Sequence, residues 1–415
     1  WLESPRANAG TEIKTTGLMA RILFITTKQP STNPRMRKSA DALADAGYEV
    51  NVLYAFNAIW ADDADLPIFQ DAKWTRELVG GHPIKQKGTY FISRLVRKID
   101  EWRGYVEGAL CRSKNSYIRL GVRWNPDLVI GHNPGAIAPA VEISRRLKIP
   151  VVFDAEDFHR GESYWVRMQK ISGIVDLEDR YIPQLSGMTT AAPHISEAYK
   201  HLYPRIPIST VNNAFPSSKN THRPKPHEGP LKVVWFSQNV GLDRGLQEFI
   251  NGMNAVSAVP IELSILGNIE PNVRGMLEEM VRSSAQGISF YATRSQEHLF
   301  NFLADHEIGL ALEKPLAYNR EICRTNKLYT YPLTGCYMFA SSTKSQNQFI
   351  EEFPQTGKIV QLDDPQSIAN ALTGAYENRE ELLKSREAAW ELGQAVLNWE
   401  TESYQLLNAI NQTLG

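Results

Sequence analysis

Residues Asn319 to Ser342, NREICRTNKLYTYPLTGCYMFASS, decide how the chain is read. They follow an apolar run, Ile308-Gly309-Leu310-Ala311-Leu312, which has the length and composition of a buried strand. A polar loop comes next, then a short helix opening near Thr325-Asn326 and ending at Gly335. A second strand, Cys336 to Ala340, begins at once. Strand, loop, helix N-terminus and strand form the geometry of a phosphate site, because unpaired backbone N–H groups and the positive end of the helix dipole face one point. Lys327 adds a full charge in the first turn, and Thr325 or Asn326 can cap the helix while offering a side chain to a ligand. An ordinary strand–helix connection with a solvated lysine fits the same residues equally well.

Outward from this stretch, both halves of the chain repeat one rhythm. In the first half, strands are predicted at Ala20–Ile25, Tyr48–Tyr54, Pro126–Ile130, Ile149–Phe153, Gly187–Ala192 and Ser209–Val211. Helical patterns lie between them, including Tyr164–Gln184. The polar turn after the first strand, TTKQPSTNPRM, sits where ligands bind in open parallel sheets. It contains no GxGxxG, which counts against a nicotinamide or flavin cofactor. Arg35, beside Pro34, either contacts an anion or solvates the helix start. After a polar, proline-rich linker the rhythm resumes with strands at Leu231–Phe236, Ile261–Leu266, Ile288–Tyr291 and Lys358–Leu362. Ile368–Ile410 reads as mostly helical, anchored by Trp390 and Trp399. The fold class is therefore α/β, with two Rossmann-like, doubly wound parallel sheets facing a cleft. Residues 1–18 are read as an extension or expression remnant, 19–216 as the first Rossmann-like domain and 217–230 as the linker. Residues 231–395 are read as the second Rossmann-like domain and 396–415 as a helix packing back on the first domain.

Charge and composition narrow the function. The 415 residues carry a formal net charge of −1, so no global field points to nucleic acid. Between Gly81 and Asn125, however, ten basic residues face three acidic ones, with Tyr90, Phe91, Leu95, Trp102, Tyr105 and Leu110 interleaved. A basic, aromatic, helical segment suits an anionic membrane surface or an anionic acceptor, and equally a solvated helical face with its aromatics packed inward. Three scattered cysteines, Cys111, Cys323 and Cys336, point to a reducing compartment and to no zinc motif. The expected location is cytoplasmic, at or near the inner face of the cytoplasmic membrane. The acidic pairs Asp62-Asp63 and Asp363-Asp364 read as solvated loops, and no metal site is expected.

Four stretches, Phe153–Glu162 (FDAEDFHRGE), Trp235–Leu246 (WFSQNVGLDRGL), Glu307–Glu313 (EIGLALE) and Thr325–Gly335 (TNKLYTYPLTG), resemble those of glycosyltransferases of the two-Rossmann-domain GT-B type, most closely family four. The resemblance covers nearly everything from Ala20 onward. It implies a UDP- or GDP-linked sugar as substrate, no cofactor, and a pyrophosphate held by Arg244 and Lys327. Two cations and a helix N-terminus can neutralise a diphosphate leaving group without a metal. The resemblance places Ser237, Gln238, Asn319, Arg320, Glu321, Asn326 and Thr330 on the donor side, and Arg35, His132 and His159 on the acceptor side. The chain departs from the family pattern at Ile322 and Thr330, where relatives carry two glutamates. Glu321 can substitute for the first, and Thr330 can still reach a ribose hydroxyl. Where many relatives carry a catalytic histidine, this chain has Glu156, followed by Asp157; a carboxylate there can orient an acceptor hydroxyl or stabilise an oxocarbenium ion. Pro332 inside the helix costs roughly 3 kcal/mol, so that helix is short or bent.

The function implied is transfer of a sugar from a nucleotide donor to a glycan or lipid-linked acceptor, with retention of configuration, in cell-surface polysaccharide synthesis of the bacterial type. A sugar-nucleotide epimerase and a non-catalytic scaffold of the same fold are the alternatives. Arg244, Asn326 and Lys327 together argue against the scaffold, which has no need of a phosphate cradle.

Overall fold

The computed structural model describes residues 20–162, 173–217, 222–256 and 258–415. The expected N-terminal extension, the start of the helix predicted from Tyr164 and part of the linker lie outside them. The first domain runs β1 (Arg21–Thr26), α1 (Pro34–Asp45), β2 (Glu49–Ala55), α2 (Trp60–Asp71), β3 (Thr75–Val79), α3 (Lys87–Trp102), α4 (Val106–Leu110) and α5 (Lys114–Trp124). It continues with β4 (Leu128–His132), α6 (Pro134–Leu147), β5 (Val151–Ala155), α7 (Ile174–Tyr181), β6 (Gly187–Thr190), α8 (Pro193–Leu202) and β7 (Ile208–Thr210). The second domain runs β8 (Leu231–Asn239), α9 (Leu246–Asn254), β9 (Ile261–Asn268), α10 (Pro271–Met280), β10 (Gln286–Tyr291), α11 (Gln296–Ala304), β11 (Ile308–Ala311), α12 (Tyr318–Ile322) and α13 (Lys327–Thr334). It closes with β12 (Tyr337–Ser341), α14 (Lys344–Glu352), β13 (Gly357–Val360), α15 (Pro365–Glu377) and α16 (Arg379–Ala395), and α17 (Trp399–Leu414) ends the chain.

Each sheet is parallel throughout and doubly wound. The strand orders are β3-β2-β1-β4-β5-β6-β7 and β10-β9-β8-β11-β12-β13. Strands covered by helices on both faces need apolar residues at every position. β1 meets this demand with Ile22, Leu23, Phe24 and Ile25, all fully buried. The order reverses between β1 and β4, where Thr26 pairs with His132. In the second sheet it reverses between β8 and β11, where Val233 pairs with Ile308. Such reversals open a crevice at the carboxyl ends of the strands, where ligands sit. β3, TRELV, was not legible in the sequence: it is an edge strand with two exposed residues and lacks the apolar run of its neighbours.

The helix at the centre of the sequence reading is α13, and its packing explains its odd residues. The Tyr331 ring lies against Gly309 of β11, where an added Cβ would come within 2.2 Å of Tyr331 Cδ1. Gly393 of α16 lies so close to Pro332 that a Cβ there would sit 2.6 Å from the proline carbonyl carbon. Gly335 ends the helix at φ 72°, with Cys336 N donating to Tyr331 O (3.0 Å). Neither Thr325 nor Asn326 caps it through a side chain, and Thr325 Oγ1 is buried without a partner.

Finally, α17 returns to the first domain. Trp399, Leu406 and Ile410 complete a core shared with Ile22, Phe24 and Met36. Trp399 N donates to Phe215 O (2.8 Å), so the outgoing and returning chains meet at one place. Lys38 of α1 stands beside them, over the rings of Trp399 (4.7 Å) and Phe215 (5.2 Å). Burial, aided by Arg35, pulls this lysine down to about 7. The acidic pairs are not plain solvated loops. Asp62 binds His82 (2.6 Å) near the start of α2, and Asp364 caps α15 by accepting from Gln366 N (3.0 Å).

Candidate functional site

Two loops of the second domain bring positive charge to the carboxyl edge of its sheet. Arg244 closes the turn after β8, just before Gly245 (φ 82°) and the start of α9. Lys327 opens α13. Between them stands Glu313, two residues past β11 and buried. Arg244 Nη1 donates to both Glu313 oxygens at 2.8 Å, and Lys327 Nζ lies 3.8 Å from Glu313 Oε1. Two cations thus share one carboxylate, leaving an excess positive charge at the mouth of the crevice. Lys327 also lies over Trp235 (5.2 Å) and Phe236 (5.7 Å) of β8. Burial pulls its ammonium below the usual range, while Glu313 pulls it back up. Sequence reasoning passed over Glu313. Its signal was a lone carboxylate directly after the buried run IGLAL, too common a pattern to single out.

Ser237 and Gln238 occupy the end of β8, the first half-buried and the second exposed. Asn326 is half-buried at the start of α13. Arg320 of α12 donates to Asp243 Oδ2 (2.8 Å), the residue next to Arg244. Asn319 is spent on the opposite domain: its Nδ2 donates to Asp157 Oδ1 (2.9 Å) and its Oδ1 accepts from Phe158 N (2.8 Å). Tyr318 packs against Phe158 beside it, ring centroids 5.7 Å apart. Asn319 thus crosses the domain boundary to Asp157, while its chain neighbour Arg320 pairs with Asp243, the residue that precedes Arg244 of the Arg244–Glu313–Lys327 group.

Besides Asn319, which is held by the first domain instead, two donor-side expectations are corrected. Thr330 is fully buried, and its hydroxyl donates to the Asn326 carbonyl (2.8 Å), so it presents nothing to a ribose. Glu321 accepts from Lys344 N (3.0 Å) at the N-terminus of α14, where the helix dipole favours a carboxylate.

On the first domain, β5 closes with Asp154-Ala155, and Glu156-Asp157 follow it directly. Glu156 accepts from Asn213 Nδ2 (2.9 Å). Asp157, not Glu156, meets the second domain. Burial, then the Glu162 and Glu156 carboxylates, push Asp157 up to about 6. Arg35 and His132 are not acceptor contacts but parts of a buried cluster. Arg35 forks onto both Asp154 oxygens (2.7 Å each) and donates to Val211 O (2.7 Å), while His132 Nδ1 lies 3.0 Å from Asp154 Oδ2. Although burial opposes it, Arg35 and then His132 hold the Asp154 carboxylate well below the usual range. The guanidinium fork matches a carboxylate too well to stay free for substrate. His159 is buried in the turn after β5, its Nδ1 3.7 Å from Glu162. Among the described residues, no group of three His, Cys, Asp or Glu side chains is placed to hold a metal ion.

Two facing, doubly wound parallel-sheet domains make up the GT-B fold. Sucrose-phosphate synthase from Thermosynechococcus elongatus shares it with a TM-score of 0.69 at 14% identity, over 95% of this chain and 98% of that one. Anabaena HepE, solved in complex with UDP, matches with a TM-score of 0.66 at 12% identity over 95% of this chain and all of its own. Arabidopsis thaliana UGT89C1 matches with a TM-score of 0.59 at 13% identity over 96% and 100%. No family model and no curated protein matches the sequence.

Proposed function

We propose that the protein is a glycosyltransferase. It takes a sugar from a UDP- or GDP-linked donor and passes it, with retention of configuration, to a glycan or lipid-linked acceptor in cell-surface polysaccharide synthesis. The observation that carries this reading is the convergence of Arg244 and Lys327 on Glu313 at the carboxyl edge of the second sheet. In the reaction, the bond from the anomeric carbon to the β-phosphate oxygen breaks. The electron pair leaves with the diphosphate, the acceptor oxygen bonds to the anomeric carbon, and the acceptor's proton is released. Arg244 and Lys327 meet the charge that grows on the leaving diphosphate, and no metal or cofactor is part of this reading. Glu156 and Asp157, directly after β5, supply negative charge for the positive charge that grows on the sugar. UDP bound to Anabaena HepE, a protein of the same fold, supports a nucleotide donor.

The test is calorimetric titration of UDP and GDP, followed by transfer assays with the sugar nucleotides of the tighter base. Arg244→Ala and Lys327→Ala are each expected to weaken nucleotide binding about tenfold or more, since each loses a charge-assisted contact worth about 1.5–3 kcal/mol. Wild-type protein that binds neither nucleotide would end the reading. Conversion of the donor to its epimer without transfer would make the protein an epimerase.

A further inference from the structure

α3 turns its apolar side away from the protein. At 3.6 residues per turn, Phe91, Trp102, Leu95, Ile99, Ile92 and Val96 fill one continuous sector of roughly 140°. All six are exposed: Phe91 to 70%, Ile92 to 62% and Trp102 to 85%. The opposite side is what holds the helix down. Ser93, the buried residue of α3, donates to Gly80 O (2.7 Å). Tyr90 packs edge-on to Phe56 (5.7 Å) and under the Arg112 guanidinium (4.6 Å). Gly81 gives the space, since a Cβ there would meet Tyr90 N at 2.6 Å. A solvated helix with its aromatics packed inward would show the reverse arrangement.

Charge decides what covers the apolar sector. Lys87, Arg94 and Lys98 border it along one edge. From residue 84 to 103, Lys85, Lys87, Arg94, Arg97, Lys98 and Arg103 are all exposed, against one exposed carboxylate, Glu101. A two-fold contact between copies would pair this patch with itself and bring two positive surfaces together. An anionic lipid surface takes both the apolar sector and the cations that rim it. α3 also leaves the first sheet from the carboxyl end of β3, the edge at which the interdomain cleft opens.

We infer that α3 is an interfacial helix that docks the first domain onto an anionic lipid bilayer. The bilayer then lies beside the acceptor side of the cleft, which favours a lipid-linked acceptor over a soluble glycan. That choice of acceptor rests on the glycosyl-transfer reading; the docking itself does not.

The full chain is mixed with vesicles of phosphatidylcholine alone, or of phosphatidylcholine with phosphatidylglycerol, and sedimented. Wild type is expected to bind the anionic vesicles and to release them as salt rises, because surface charges are then screened. Phe91→Ser combined with Trp102→Ser is expected to lose about tenfold or more in affinity. Both residues are exposed, so the melting point should hold. Arg94→Glu with Lys98→Glu is expected to abolish the preference for anionic vesicles. UDP titration of the same samples reports on the donor site separately, so failure of one reading is not mistaken for failure of the other. The inference is overturned by no vesicle binding, by equal binding to neutral vesicles, or by unchanged binding of the Phe91/Trp102 variant. A wild-type dimer in light scattering that this variant converts to monomer would also overturn it.

Discussion

In the proposed donor site, Glu313 sets the charge that a diphosphate would meet. With it, Arg244 and Lys327 present one net positive charge; without it they present two. Glu313→Gln is therefore expected to bind UDP about tenfold more tightly, as close charges at a partly buried site weigh heavily. Turnover should fall, because the product nucleotide then leaves slowly. Calorimetry beside steady-state kinetics reads both, and weaker UDP binding would reduce Glu313 to a structural brace. Asp157 offers a second readout, in pH. Its folded value, about 6, stands above the ordinary 3.8, so the folded state holds a proton that the unfolded state has released between those values. Its contribution to stability is full below pH 3.8 and is lost as pH rises through about 6. Asp157→Asn keeps an oxygen for Asn319 and removes this loss, so its melting point should gain on wild type from pH 4 to pH 7. A constant difference across that range would contradict the assignment. The errors at this scale have a physical cause. Arg35 and Thr330 have the right chemistry for a ligand, but a sequence does not show that Asp154, 119 residues away, already fills the guanidinium fork. Nor does it show that a helical threonine is turned inward onto its own backbone.

At the scale of elements, close approach of backbones governs the donor side. α16 crosses α13 at Gly393 with no room for a side chain. Gly393→Ala should push α16 off Pro332 and cost about 1–3 kcal/mol, the usual range for overpacking. The expected signs are a lower melting point and weaker nucleotide binding, since α13 carries Lys327. An unchanged melting point would mean that α16 shifts freely. Strand–helix alternation was legible because buried parallel strands must be apolar along their whole length, as in β1 and β11. β3 escaped because an edge strand is under no such demand. The basic segment after Gly81 was legible in composition alone: which side of α3 faces the protein depends on Ser93 and Tyr90 meeting Gly80, Phe56 and Arg112, contacts that no local pattern encodes.

At the scale of the whole molecule, Asn319 fastens one domain to the other through Asp157 and Phe158. Asn319→Ala should leave UDP affinity within a few-fold but loosen the cleft, seen as a larger radius of gyration in small-angle scattering. An unchanged scattering profile would assign closure to the Phe158–Tyr318 packing instead. The return of α17 has a consequence for synthesis. Trp399, Leu406 and Ile410 belong to the core around Ile22, Phe24 and Met36, yet they are translated only after the whole second domain. Domains generally fold as units, N-terminal first, while the chain emerges from the ribosome. Here the core of the first domain cannot be completed until the second domain has been made. The second domain can finish folding while the first still exposes the apolar groove that α17 will fill, and a chain stalled before Trp399 would leave the ribosome with its older half unsealed.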